Sequence, residues 1–251
     1  MMERPLRNAT LLRMGLRASL LQATWNYERQ QGLGWAFALA PAIERLYADP
    51  AERRDRLAEH TAYFNTQPTL ASLALGAVAG LEERRAAGGG VDHEAVARVK
   101  VILGSSLAAI GDRLFWFTLR PFSACLGVLV ALGGSWLGAP LMWVCYNLFH
   151  IGLRLFGVGW GFRAGPTVLN PQVRGRFNRL VGSLAVAGAA LVGVVVAVLL
   201  VPGGQPATLV FQALLAAGLS LGLIAAQRAR PSPTEWALGT GLLCVIATWF
   251  R

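Results

Sequence analysis

Between Arg179 and Arg228 the chain carries no charged side chain, and the turn VPGGQP at 201–206 divides this run in two. A bilayer core needs about 20 apolar residues to be crossed as a helix, because backbone N–H and C=O groups find no other partner in hydrocarbon. Residues 180–227 therefore read as a helical hairpin in a membrane, and 236–250 as a final span ending at interfacial Trp249 and Arg251. The fold class that follows is an all-α membrane protein, with N-terminal amphipathic and broken or re-entrant helical segments followed by transmembrane helices.

Composition agrees. Hydrophobic residues make up 55% of the 251 and charged residues only 14%, against about a quarter in soluble domains. The net charge of +10 is carried, apart from Lys100, by arginines lying between apolar runs. That is the pattern of loops held on the cytoplasmic side, and it excludes a nucleic-acid-binding face. Arg163, Arg174, Arg176 and Arg179 before the hairpin, and Arg228 and Arg230 after it, predict cytoplasmic flanks and an external VPGGQP. Cys125, Cys145 and Cys244 all lie in apolar runs without CxxC spacing, and read as small packing residues. No metal or cofactor is expected. Arg4, Arg7, Arg13 and Arg17 interrupt the N-terminus, so a signal peptide is not expected there.

The chain divides near residue 100, into an amphipathic and interrupted region (1–100) and a hydrophobic membrane region (101–251). Residues 10–29 place Leu12, Leu16, Leu20 and Trp25 near one helical face, suited to a membrane surface or to a docking partner. Residues 30–43 are uncharged but too short to span. Asp49-Pro50 reads as the start of a charged helix. Residues 61–81 are long enough to cross, yet Asn65, Thr66, Gln67 and Pro68 break them near their beginning. Interrupted segments of this kind often mark transporter binding sites; the competing reading is an ordinary helix start capped by these residues.

Four stretches, ATWNYERQQGLGWAFALAPAIERLY, EHTAYFNTQPTLASLALGAVAGLEERRA, KVILGSSLAAIGDRLFWFTLRP and LFGVGWGFRAG, occur in this order. They resemble the IID membrane component of the mannose/fructose/sorbose family of the bacterial sugar phosphotransferase system. The resemblance implies a multi-pass subunit of the bacterial inner (cytoplasmic) membrane that pairs with a IIC subunit and forms with it the pathway for a hexose-type sugar. It also implies soluble IIA and IIB components that relay phosphate, a higher oligomer of IIC–IID pairs, and no phosphorylated residue on this chain. The sequence departs from the family at Ser105-Ser106, where Gly-Pro is usual, at Phe117, where a small residue is usual, and in the short VPGGQP linker.

Sugar recognition needs amides, carboxylates and hydroxyls with an aromatic wall. Asn65, Thr66, Gln67, Asp112 and Trp116 are the candidates for these roles. The alternative for Asp112 is a structural pair with Arg113 or Arg120. A break at Gly111 is expected to present Asp112 to the cavity, with Arg120 anchoring the far end near the cytoplasmic surface. Glu28, Pro68 and Arg120 are read as structural or interface residues, and His60, His93 and His150 as helix or interface histidines. Two rival functions are an intramembrane serine protease, which lacks the GxSxG turn, and a IID-like sensing or docking subunit without transport.

Overall fold

The computed structural model describes residues 5–200 and 206–229, so the expected VPGGQP turn and the 236–250 span lie outside the described residues. The elements are α1 (Asn8–Ala18), α2 (Gly32–Leu46), α3 (Pro50–His60), α4 (Ala71–Ala86), α5 (His93–Leu114), α6 (Arg120–Leu132), α7 (Gly138–Ala164), α8 (Pro171–Leu200) and α9 (Pro206–Ala229). A π-helical turn, Phe115–Leu119, joins α5 to α6, and a 3-10 turn, Gly165–Leu169, precedes α8. Among the described residues, three stretches are long and apolar enough to cross a membrane, His93–Leu132, Gly138–Leu169 and Pro171–Leu199. The chain is an all-α membrane protein.

Local chemistry sets the helix starts. Asp49 accepts from the N–H groups of Ala51 and Glu52, with Pro50 in the first turn of α3; Asp92 accepts from Ala95 N–H at 2.7 Å at the start of α5. Pro41 lies inside α2 and cannot donate to the carbonyl of Phe37. Arg17 supplies the missing donor, its Nη1 reaching Phe37 O at 3.2 Å while its guanidinium lies 4.7 Å from the Phe37 ring centroid.

α4 is the buried centre, and it packs along α7 through glycine. A Cβ on Gly161 would lie 2.0 Å from the Leu73 carbonyl, one on Gly157 2.2 Å from Ser72 Oγ, and one on Gly76 2.0 Å from the Val158 carbonyl. Residue numbers rise together along both helices, so they run parallel and the Arg84-Arg85 end of α4 lies beside the Arg163 end of α7. α1 runs the other way on α7, with Gly15 against Leu155 and Arg154.

Two expectations are corrected here. α5 passes through Gly111 as regular helix, and the irregular turn begins at Phe115. Gly111 is needed for closeness instead, since a Cβ there would lie 2.5 Å from Gln67 Cβ. Arg120, expected near the cytoplasmic surface, lies far along the continuous 93–132 helix from the end where His93 meets Glu59. Arg120 is therefore at the opposite end from Arg85 and Arg163.

Candidate functional site

Two hairpins enter the bundle from the arginine-rich end and turn back inside it. In the first, α1 leads in, residues 19–31 turn, and α2 leads back; in the second, residues 61–70 lead in without helix and α4 leads back. α5 lies along the second entry, Gly104 against Phe64, Gly111 against Gln67 and Leu70. Ser72, just past the tip, donates to Leu153 O at 2.8 Å, which lies about 16 Å along α7 from Ala164. Thus the two interrupted segments of the sequence meet at their tips, roughly half a bilayer from the arginine-rich end.

The tips are joined by Gln31. Its Nε2 donates to Thr66 O at 2.7 Å, and its Oε1 accepts from Thr66 N–H at 3.1 Å. Gln31 N–H also donates to Phe64 O at 2.8 Å, and Trp35 packs on Phe64 with ring centroids 4.1 Å apart. Each unpaired backbone group at this depth would cost several kcal/mol, and one glutamine satisfies both the N–H and the C=O of a non-helical residue. Nothing local in the sequence marks Gln31 for this role, because its partner is 35 residues away.

The predicted residues fall into three sets. Thr66 and Gln67 are buried and turned inward: Thr66 Oγ1 donates to Gly104 O at 2.8 Å, and Gln67 Oε1 accepts from Thr69 N–H at 2.8 Å and Leu70 N–H at 2.9 Å. Pro68, half-buried, occupies the turn just before α4. Asn65 is exposed between them, its side-chain amide bonded to none of the described residues. Asp112 is half-buried on α5 and forms an ion pair with neither Arg113 nor Arg120 among the described residues. Trp116 lies a turn beyond it, with Arg120 5.5 Å from its ring centroid. Glu28 is apart from both, exposed and 3.4 Å from Arg29.

Two further cations serve the interior. Lys100 donates to the carbonyls of His60 at 3.0 Å and Ala62 at 3.2 Å, placing its charge at the negative end of α3. Arg154 Nη1 donates to Ala18 O at 3.1 Å and so caps α1 at its inner end. At the arginine-rich end, Glu82 is fully buried; it accepts from Tyr47 Oη at 2.6 Å and faces His60 Nε2 at 3.2 Å. Burial holds the His60 imidazole below its usual range against the pull of Glu82. Burial also pushes the Glu82 carboxyl up, but the hydrogen bonds from His60 and Tyr47 outweigh it and hold Glu82 below the usual carboxylate range. An ionised Glu82 beside a neutral His60 makes Nε2–H the donor.

The comparison with known sequences decides the family. The model of the mannose/fructose/sorbose family IID component of the phosphotransferase system matches residues 5–202. The chain belongs to this family. The mannose-specific EIID component of Escherichia coli K12 is 37% identical over 195 residues, 77% of this chain and 69% of that protein. The sorbose-specific EIID component of Klebsiella pneumoniae is 35% identical over 196 residues, 78% and 72% of the two chains. The fructose permease IID component of Bacillus subtilis is 31% identical over 194 residues, 77% and 70%. A cryo-EM structure of the mannose transporter ManYZ in complex with microcin E492 has a chain 30% identical, with TM-score 0.62, covering 98% of this chain and 97% of that one. A second membrane-protein structure gives TM-score 0.71 at 30% identity over the same shares. This IID chain is thus a multi-pass membrane transporter subunit that works with a IIC subunit, and is not itself the catalyst of phosphoryl transfer.

Proposed function

We propose that this IID chain forms, with its IIC partner, the membrane pathway for a hexose-type sugar, which IIA and IIB phosphorylate as it is delivered. No residue of this chain carries the phosphate. The observation that supports the pathway most strongly is the meeting of two polar hairpin tips at mid-depth, with Asn65 left free beside α5 while Thr66 and Gln67 hold the tip in place. Unwound backbone at such depth is the arrangement that transporters use to meet a solute.

In this reading Asn65 and Asp112 bond sugar hydroxyls and Trp116 supplies an aromatic wall, while Thr66 and Gln67 act through the shape of the tip. The arginine-rich end faces the cytoplasm, the IIC subunit covers Asn65 and Asp112, and several IIC–IID pairs assemble together. Asp112→Asn keeps the shape of the side chain and removes its charge. It should greatly reduce sugar uptake by IIC–IID vesicles while the two subunits still copurify. Normal uptake with Asp112→Asn, together with failed assembly of Asp112→Ala, would make Asp112 a structural residue and overturn its place in the pathway.

A further inference from the structure

Beyond the hairpin tips, the far side of the bundle holds a largely apolar, aromatic-lined cavity of about 520 Å³, lined by Trp116, Arg120, Met142, Trp143, Tyr146 and Asn147. It lies between the start of α6 and the first half of α7. Trp143 is about 20 residues before Arg163 on the same helix, roughly 30 Å away and so a full hydrocarbon thickness from the arginine-rich end.

We propose that this cavity is an outer receiving site for the sugar on this chain, lying beyond the hairpin tips and adjoining the tip site through Trp116, which both share. The inference rests on the transport reading above and on the orientation that goes with it. The volume falls within the range of small-molecule sites. Its walls are the indoles of Trp116 and Trp143, which suit the C–H faces of a pyranose ring.

The polar groups discriminate among ligands. Asn147 donates Nδ2–H to Trp143 O at 2.9 Å, which aligns the amide and leaves Oδ1 as an acceptor. Tyr146 is held by Phe115 edge-on at 6.2 Å and by His150 stacked at 5.5 Å between centroids. Its hydroxyl, able to donate and accept, has no hydrogen-bond partner among the described residues. Arg120 contributes donors only, and its charge rests 5.5 Å from the Trp116 ring centroid. A lipid phosphate accepts hydrogen bonds and cannot donate, so it gains nothing from the Asn147 acceptor. A sugar hydroxyl both donates and accepts, and its neutral ring matches two indoles better than an anion does.

The test uses this chain assembled with its IIC partner in vesicles and mannose added outside as the probe. Tyr146→Phe and Asn147→Leu should each raise the KM for uptake roughly 2- to 12-fold, the equivalent of one hydrogen bond, while the rate at saturating mannose is kept and the complex still copurifies. An unchanged KM for both variants would overturn the site. So would a phospholipid that copurifies with the native complex and is lost with Asn147→Leu while KM stays fixed. The two proposals are read on different variants: a raised KM in Asn147→Leu with normal uptake in Asp112→Asn keeps the outer site and rejects the role of Asp112.

Discussion

Gln31 occupies both backbone hydrogen-bonding groups of Thr66, so at the residue scale it ties the two hairpins together. Gln31→Leu leaves a buried donor and a buried acceptor bare, and should cost about 2 to 6 kcal/mol, at 1 to 3 for each group. Gln31→Glu sets a carboxylate oxygen, which cannot donate, against the Thr66 carbonyl and should also destabilise; a thermal melt of the purified IIC–IID complex measures both variants. Asn65→Ala, at the same tip, should cost about 1 to 3 kcal/mol of sugar binding by calorimetry with assembly intact; unchanged affinity would remove Asn65 from the site. The sequence displayed Asn65 to Pro68 as an interruption because four non-helical residues break an uncharged run. It hid Gln31 and Lys100, whose roles exist only once residues 60–66 fold beside them. The Glu82–His60 pair sets a pH dependence. Both folded values lie below the ordinary 4.5 and 6.5, so the unfolded chain binds more protons and stability falls as pH drops, first below about 6.5 and again below about 4.5. His60→Gln should remove the upper of these two losses from a plot of melting temperature against pH.

Elements pack where side chains are missing. Gly157 and Gly161 stand four residues apart on α7, and the structure sets both against α4. Their partner was not legible, since α4 read equally well as a span of its own, whereas the structure encloses it among α1, α2, α5 and α7. Gly161→Leu forces a side chain into the Leu73 backbone and should destabilise the complex by more than the 1 to 3 kcal/mol of ordinary overpacking. Gly159, two residues away, has open space around a Cβ, so Gly159→Ala should be neutral or stabilising by up to about 1 kcal/mol. Equal melting temperatures for these two variants would contradict the parallel packing of α4 on α7. The Asp112 segment teaches a related lesson: a glycine beside a buried charge looked like a hinge, but Gly111 is a contact point and the helix changes pitch four residues later.

At the scale of the molecule, one end gathers arginines from α4, α7 and α8 while the hairpin between α6 and α7 carries none. With the native cysteines replaced, Ser135→Cys in that hairpin should react with an impermeant maleimide added outside cells and Arg174→Cys should not; the reverse would invert the orientation. The charge pattern made the arginine-rich end legible, and the family motifs made the transporter legible. The joining of two hairpin tips was not, because it depends on hydrogen bonds across distant segments. The most direct test of the account is mannose uptake and phosphorylation in vesicles supplied with IIA and IIB, containing IIC alone or IIC with this chain. The account predicts accumulation of sugar phosphate only when both membrane subunits are present, and its loss with Asp112→Asn. Equal accumulation by IIC alone would contradict the claim that this chain forms half of the pathway.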